Sequence, residues 1–284
     1  MKEICDLLRK YNLRTSSYKK EGRAVIVNVD DKKYVIKPKC NKEIINYLDN
    51  RSFDYYPNII NDKEDDYYIY EYIEGIDIPH PQKVMDMIEL VALLHSKTTF
   101  YKEVDSEYYE RIKEDINNNI NYLYGYYTDI ITRIESKVFM SPSEYLLARN
   151  ITNIYKSLYD SKNKLDEWYL LVRTKKRTRQ VVLHNNLDLS HFIENKSPYL
   201  ISWDKSKIDM PIFDLYKLFK RGMNYSFDLV LKKYEENYRL LEEEKMLLYI
   251  LMGLPDRLEM SESNYLNTLK VNNMLSLLTK ENTE

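Results

Sequence analysis

Glycine is scarce in this 284-residue chain: there are five, and Gly22, inside KKEGRAV, is the only one before Gly75. Backbone amides close on a phosphate only where no side chain intervenes, so a glycine-rich phosphate cradle is excluded. Cysteine is scarcer still. Cys5 and Cys40 make neither a metal-ligand spacing nor a disulfide framework, and a reducing compartment is the expectation. No apolar run approaches the roughly eighteen residues of a membrane span, and residues 1–11 lack the apolar core of a secretory signal. A cytoplasmic protein with no membrane partner is expected. An excess of one charge sign is also missing, with 43 Lys and Arg against 45 Asp and Glu and a net charge of −2. The densest basic group, Lys175-Lys176-Arg177 with Arg179, reads as solvation of a turn before a strand. No nucleic-acid partner is therefore expected.

Tyrosine is what the chain has in plenty: 28, against 7 Phe and 2 Trp. Tyr lines a core while its hydroxyl still reaches water, and the same residues would serve as an aromatic surface for a protein partner. Hydrophobic residues at 44% and charged ones at 31% fit a globular chain with a sizeable core.

Ile4, Leu7, Leu8 and Tyr11 recur at helical spacing over residues 2–12. Alternation takes over at Val25, Val27 and Val29, and an Asp30-Asp31-Lys32 turn leads to Tyr34-Val35-Ile36 and Lys37. Residues 41–48 read as a helix with Ile44, Ile45 and Leu48 inward. Ile59-Ile60, a polar tip over 61–66 and the run 67–74 read as a second hairpin. Pro79 and Pro81 precede a helix over 82–95 that carries Val84, Met87, Ile88, Val91, Leu94 and His95 on one side, His95 as a buried, hydrogen-bonded residue. Residues 105–136 are helical. Ser141, Pro142 and Glu144 spell a capping box, which heads a long helix with Leu147, Ile151, Ile154, Leu158, Leu165 and Trp168 on its core face. Beyond Leu215 the pattern is helical over 216–220, 226–234, EEEKMLLYILMGLP and 264–278, and the tail TKENTE frays.

Between these blocks lies the most informative stretch, VVLHNNLDLSHFIENKSPYLISWDKSKIDMPIFDL, residues 181–215. It reads strand to His184, polar loop, strand at Phe192-Ile193, turn, strand at Tyr199-Leu200-Ile201, and a helix headed by Asp214. This order resembles the catalytic and metal loops of the aminoglycoside phosphotransferase and choline kinase superfamily, where the stretch would run HGDLHPGN, then IDW or IDF, then P-x-x-DL. IYEYIEG resembles the hinge of that family, ELVALLHSKT its following LAxLHxxT helix, and YVIKP puts Lys37 where its phosphate-pairing lysine stands.

The resemblance implies an α+β, protein-kinase-like two-lobe fold, with a small β-rich lobe and hinge strand over 1–75 and a larger, mostly helical lobe over 76–284. ATP is the cofactor it implies. Lys37 would face the phosphates, Glu43 would be its ion-pair partner, and the backbone of Glu71, Tyr72 and Ile73 would meet the adenine. Taken from the residues alone, Lys37 reads equally as a solvent-facing hairpin lysine, Glu43 as an acid favoured by a helix dipole, and 67–74 as an edge strand. His184 would brace the loop, and Asp214 would accept hydrogen bonds from its backbone.

Laid over that pattern, the chemical residues are absent. The catalytic Asp is replaced by Asn186, the metal-binding Asn by His191 and the second metal-binding Asp by Ser202. An amide has no useful basicity, and loss of a general base costs on the order of 10²–10⁴ in rate. Magnesium wants oxygen ligands, and a nitrogen with one neutral hydroxyl suits it poorly. No metal ligand set is assigned, and a kinase fold that has lost phosphoryl transfer, a pseudokinase acting as scaffold or nucleotide-binding module, is the expectation. Asp188 and Asp204 each stand two positions beyond a lost residue, and as substitute base and metal ligand they would keep an active small-molecule phosphotransferase open. Within the superfamily the chain most resembles the spore coat protein S branch, through HNNLDLSHF, ISWDKSKIDMPIFDL and YEENYRLLEEEK. That implies a bacterial protein in or near the spore coat, with coat or other protein partners, and leaves a purely structural coat or assembly role as the third reading.

Overall fold

Hydrophobic alternation builds the amino-terminal sheet, and helical periodicity builds most of the remaining chain. The computed structural model describes residues 2–29, 32–61, 65–222 and 226–280. Its strands are β1 (Thr15–Glu21), β2 (Ala24–Val29), β3 (Lys32–Pro38), β4 (Tyr67–Glu71), β5 (Phe100–Glu103), β6 (Arg177–Leu183), β7 (Phe192–Glu194), β8 (Pro198–Leu200) and β9 (Lys207–Asp209). Its helices are α1 (Lys2–Lys10), α2 (Lys42–Asn50), α3 (His80–Thr98), α4 (Tyr108–Glu135), α5 (Pro142–Val172), α6 (Ile212–Lys220), α7 (Phe227–Asn237), α8 (Glu242–Met252) and α9 (Asn264–Lys280). Asp30 and Asp31 of the expected turn, residues 62–64 of the expected polar tip and 281–284 of the expected frayed tail lie outside the described residues.

The chain divides into two compact units. One joins Met1–Phe100, Gln180–Asp214 and Phe227–Arg239. Its four-stranded antiparallel sheet has the order β1-β2-β3-β4. The period of two along β2 turns Val25, Val27 and Val29 to one face, where they bury with Ile36 and Ile69 against Ile4, Leu7 and Leu8 of α1. The other face carries Ala24, Ile26, Val35 and Lys37. In the same unit α2 buries Ile44, Ile45 and Leu48, and Asn41 caps it by accepting the Glu43 N–H at 3.0 Å. The antiparallel hairpin β7–β8 pairs Phe192 with Leu200, and β6 pairs with β9 through Val181–Leu183 and Lys207–Asp209.

The other unit joins Tyr101–Arg179, Leu215–Ser226 and Leu240–Glu284. It is helical, with Tyr127, Leu147, Ile154, Leu158, Leu165, Trp168 and Val271 buried. Ser141 forms the expected capping box, with its Oγ accepting the Glu144 N–H at 3.4 Å and Glu144 Oε2 accepting the Ser141 N–H at 2.8 Å. Buried hydroxyls and rings are satisfied by helix-end carbonyls: Ser157 donates to Gly253 O at 2.5 Å and Trp168 Nε1 to Glu243 O at 3.1 Å. The basic group expected to solvate a turn instead runs into β6, which begins at Arg177, and is paired within this unit, Lys175 with Glu243, Arg177 with Glu103 at 3.1 Å and Arg179 with Glu244. Among the described residues no helix is long and apolar enough to cross a membrane.

The second hairpin differs from expectation. Only β4 is a strand, and Ile59 meets Tyr70 in a single bridge. Tyr72 still donates its N–H to Lys33 O at 3.1 Å, and beyond it the chain leaves the sheet, with Gly75 against Ile193 and the Glu194 carbonyl. The hydrogen bond from Ile76 N–H to that carbonyl, 2.7 Å, holds this segment instead.

Candidate functional site

A cleft of 610 Å³ opens on the front face of the sheet, and all its lining residues belong to the first unit. That volume lies in the range of small-molecule sites, about 300–1,000 Å³. Its walls are Ala24, Ile26 and Val35 from the sheet, Tyr70, Glu71, Tyr72 and Ile73 from β4 and its exit, and His191, Ile193, Ile201, Ser202, Trp203 and Asp204 from the loops around β7 and β8. Register explains the first group: Val35 faces Tyr70 and Lys37 faces Tyr68, so the side chains that alternate away from the α1 core point into the cleft.

Lys37 enters from the end of β3, and its ammonium donates to Ser202 Oγ at 2.8 Å. Burial lowers its pKa, Asp204 opposes that shift and Arg23 adds to it. Lys37 is therefore not the solvent-facing hairpin lysine. Glu43 does not meet it. That side chain lies at the start of α2, and the structure pairs Lys37 with Ser202 instead. Ser202 itself holds a left-handed backbone, φ 70° and ψ 51°, a conformation Ser adopts at a cost.

The loop after β6 is braced from Asp214. Asp214 accepts the His184 N–H at 2.8 Å and the Asn185 N–H at 2.6 Å. It also meets His95 Nε2 at 3.2 Å, and His95 Nδ1 lies 2.6 Å from the Tyr234 hydroxyl. A carboxylate only accepts, so Nε2 carries the His95 proton and, in the neutral ring, Nδ1 takes the Tyr234 O–H. His184 donates from Nε2 to Ile201 O at 2.9 Å and packs its ring edge-on against Trp203. Its Nδ1 is buried with no partner among the described residues, and burial holds its pKa down at about 4.

Asn186 and the two acids of these loops, Asp188 and Asp204, lie in different surroundings. Asn186 is buried, and its main-chain carbonyl accepts from His191 Nδ1 at 2.8 Å. Asp188 caps the short turn Leu189–His191, accepting the Ser190 N–H at 2.9 Å and its O–H at 2.7 Å, and it does not line the cleft. Asp204 does line it. Its Oδ2 lies 3.5 Å from Arg23, at the turn between β1 and β2. The structure thus separates the two proposed substitutes. Arg23 does not itself line the cleft and meets it through Asp204, and a lone arginine beside one glycine carries no sequence signal.

Among the described residues no three His, Cys, Asp or Glu side chains group as a metal site. Ser202 accepts from Lys37, His191 is turned to the Asn186 carbonyl and Asp204 faces Arg23, so the donor set does not fit magnesium. A nucleotide fits better. The cleft has apolar walls, a cation at Lys37 and, where it leaves β4, an Ile73 N–H that donates to no other group among the described residues.

No family model matches this chain, and no curated protein matches it. Solved structures do. An aminoglycoside phosphotransferase from Alicyclobacillus acidocaldarius superposes with a TM-score of 0.74 at 11% identity, over 97% of this chain and 92% of that one. The choline kinase LicA from Streptococcus pneumoniae gives 0.53 at 15% identity, over 100% and 99%. An AMP-bound spectinomycin phosphotransferase gives 0.56 at 14% identity, over 99% and 91%. At these identities the likeness is one of fold, and the fold is the kinase-like α+β fold.

Proposed function

We propose that this kinase-fold chain binds a nucleotide in the cleft between β3 and the β7–β8 loops and has lost magnesium-dependent phosphoryl transfer, serving as a scaffold or nucleotide-responsive binding module. The observation that carries this reading is the Lys37–Ser202 contact: the cation that would meet phosphate is present, and a neutral hydroxyl stands where a metal-binding carboxylate would be. Asn186 in place of a general base supports the same conclusion. Lys37 would hold phosphate oxygens, and the Glu71–Ile73 edge would meet the base. The likeness of the loop motifs to spore coat protein S supports a place in or near the bacterial spore coat, with protein partners there.

Thermal melting with ATP in EDTA and in magnesium tests the reading. Stabilisation that does not need the metal is expected. Stabilisation only with magnesium would instead favour an active phosphotransferase through Asp204, the one substitute acid that reaches the cleft. No shift in either buffer would favour a structural coat protein. A fluorescent fusion followed through sporulation tests the coat placement, and a signal that never leaves the mother-cell cytoplasm would reject it.

A further inference from the structure

We propose that Arg23 is the second cation of a metal-free polyphosphate subsite, releasing Asp204 to take the distal phosphate of a nucleoside di- or triphosphate. This rests on the nucleotide reading of the cleft and adds the residue that would do magnesium's charge-neutralising work.

The placement begins with the turn. Glu21 pairs with Ala24, leaving Gly22 and Arg23 as a two-residue hairpin loop. Gly22 takes φ +57°, and a Cβ there would meet nothing within 4 Å, so glycine is required for its backbone angle alone. The hairpin has the position of a phosphate-covering loop without the glycines that would let backbone amides close on the ligand. A side chain must reach in their place. The turn carries the Arg23 guanidinium to 3.5 Å from Asp204 Oδ2, on the wall of the cleft that also holds Lys37 and Ser202.

Charge around this end of the cleft is unbalanced. Lys37 and Arg23 both act on the space beside Asp204, the only carboxylate among the described residues that engages either of them, while Lys37 bonds a neutral hydroxyl. Lys19, which lines the cleft near the hairpin, is satisfied by Glu21 at 2.5 Å. Arg23 is 75% exposed, so its attraction to Asp204 is screened by water and weak. A phosphate group offers about two charges and several acceptor oxygens to a planar guanidinium fork, a better partner than one carboxylate. Asp204, left facing the ligand, opposes it by like charge.

The two residues therefore predict opposite signs. Full-length protein is titrated in EDTA with ATP, ADP and adenosine by calorimetry, as wild type, Arg23→Ala and Asp204→Asn. Expected are a wild type that prefers ATP and ADP over adenosine, and an Arg23→Ala variant about tenfold weaker for both phosphates but unchanged for adenosine, the size of one charge-assisted contact. Asp204→Asn should bind ATP several-fold tighter. Wild-type ATP affinity in Arg23→Ala, or weaker ATP binding in Asp204→Asn, overturns the subsite while leaving the nucleotide reading intact. A wild type that binds neither ATP nor adenosine overturns both. Arg23 is exposed, so its replacement leaves the fold in place, and equal melting temperatures confirm it.

Discussion

Lys37 Nζ donates to Ser202 Oγ at 2.8 Å across 165 positions of sequence. The bond ties the end of β3 to the loop after β8 and commits the cleft's half-buried cation to a neutral partner. Ser202→Ala removes the acceptor and should cost about 1 kcal/mol, the usual net value of one hydrogen bond. Ser202→Asp should do the reverse. It restores a carboxylate to the lysine, and Asp tolerates the left-handed backbone at this position better than Ser does. The expected order of melting temperatures is Asp above wild type above Ala, and the Lys37 ammonium, now held below its ordinary range, should titrate higher in the Asp variant. Isotope-edited NMR of the lysine reads the second effect directly.

Asp188 supplies a sharper contrast. Its carboxylate caps the Leu189–His191 turn, so Asp188→Ala should lose about 1 kcal/mol of stability. Nucleotide affinity should not change, because the residue lies off the cleft wall. A tenfold loss of ATP affinity with an unchanged melting curve would return Asp188 to the site.

Legibility in the sequence tracks how many residues share each signal. The Ser141 capping box and the valine alternation of β2 each rest on several residues that agree, and the structure has both. β1 carries no such signal, because TSSYKKE is exposed at every position and is held by backbone pairing and by the Ser16 and Ser17 bonds to Asn28, which leaves no hydrophobic period to read. β5 and β9 are four and three residues long, too short to show a period. In the site, the strand-end position alone leaves Lys37 equally a solvent-facing lysine, and only the family resemblance turns it inward. Its actual partner is not legible, because contact between β3 and a distant loop depends on tertiary packing. Glu43 is a partner only by the family resemblance, since an acid in a first helical turn is favoured by the helix dipole alone.

His184 makes stability depend on pH. Burial lowers its pKa to about 4 from an ordinary 6.5, against the smaller opposing pull of Asp214 and of the bond to Ile201. The unfolded chain therefore takes a proton below about 6.5 that the folded chain refuses until about 4. This contribution is complete above pH 6.5 and drains away as pH falls towards 4, roughly 3 kcal/mol across the window. His184→Gln offers an amide donor to Ile201 O and does not titrate. Urea unfolding of wild type and variant at several pH values between about 4 and 7 should show a slope in the first that is much reduced in the second, and parallel slopes would reject the assignment.

Arg179 and Glu244 make the most deeply buried pairing of an arginine or lysine with a carboxylate among the described residues, with side chains only 9% and 5% exposed. Arg179 Nε donates to Oε1 at 2.9 Å, and a second bond joins the guanidinium to Oε2. Water cannot screen a charge left there, so Arg179→Met should cost about 3–5 kcal/mol by stranding the carboxylate. Replacing both partners removes both charges and should recover most of that loss. Recovery should fall short of complete, for Glu244 Oε2 also accepts the Leu241 N–H at 2.9 Å at the start of α8. The double variant Arg179→Met with Glu244→Leu leaves that donor unpaired, and a deficit of about 1 kcal/mol against wild type is expected. A double variant no more stable than Arg179→Met would show that the cap, not the ion pair, dominates at this position.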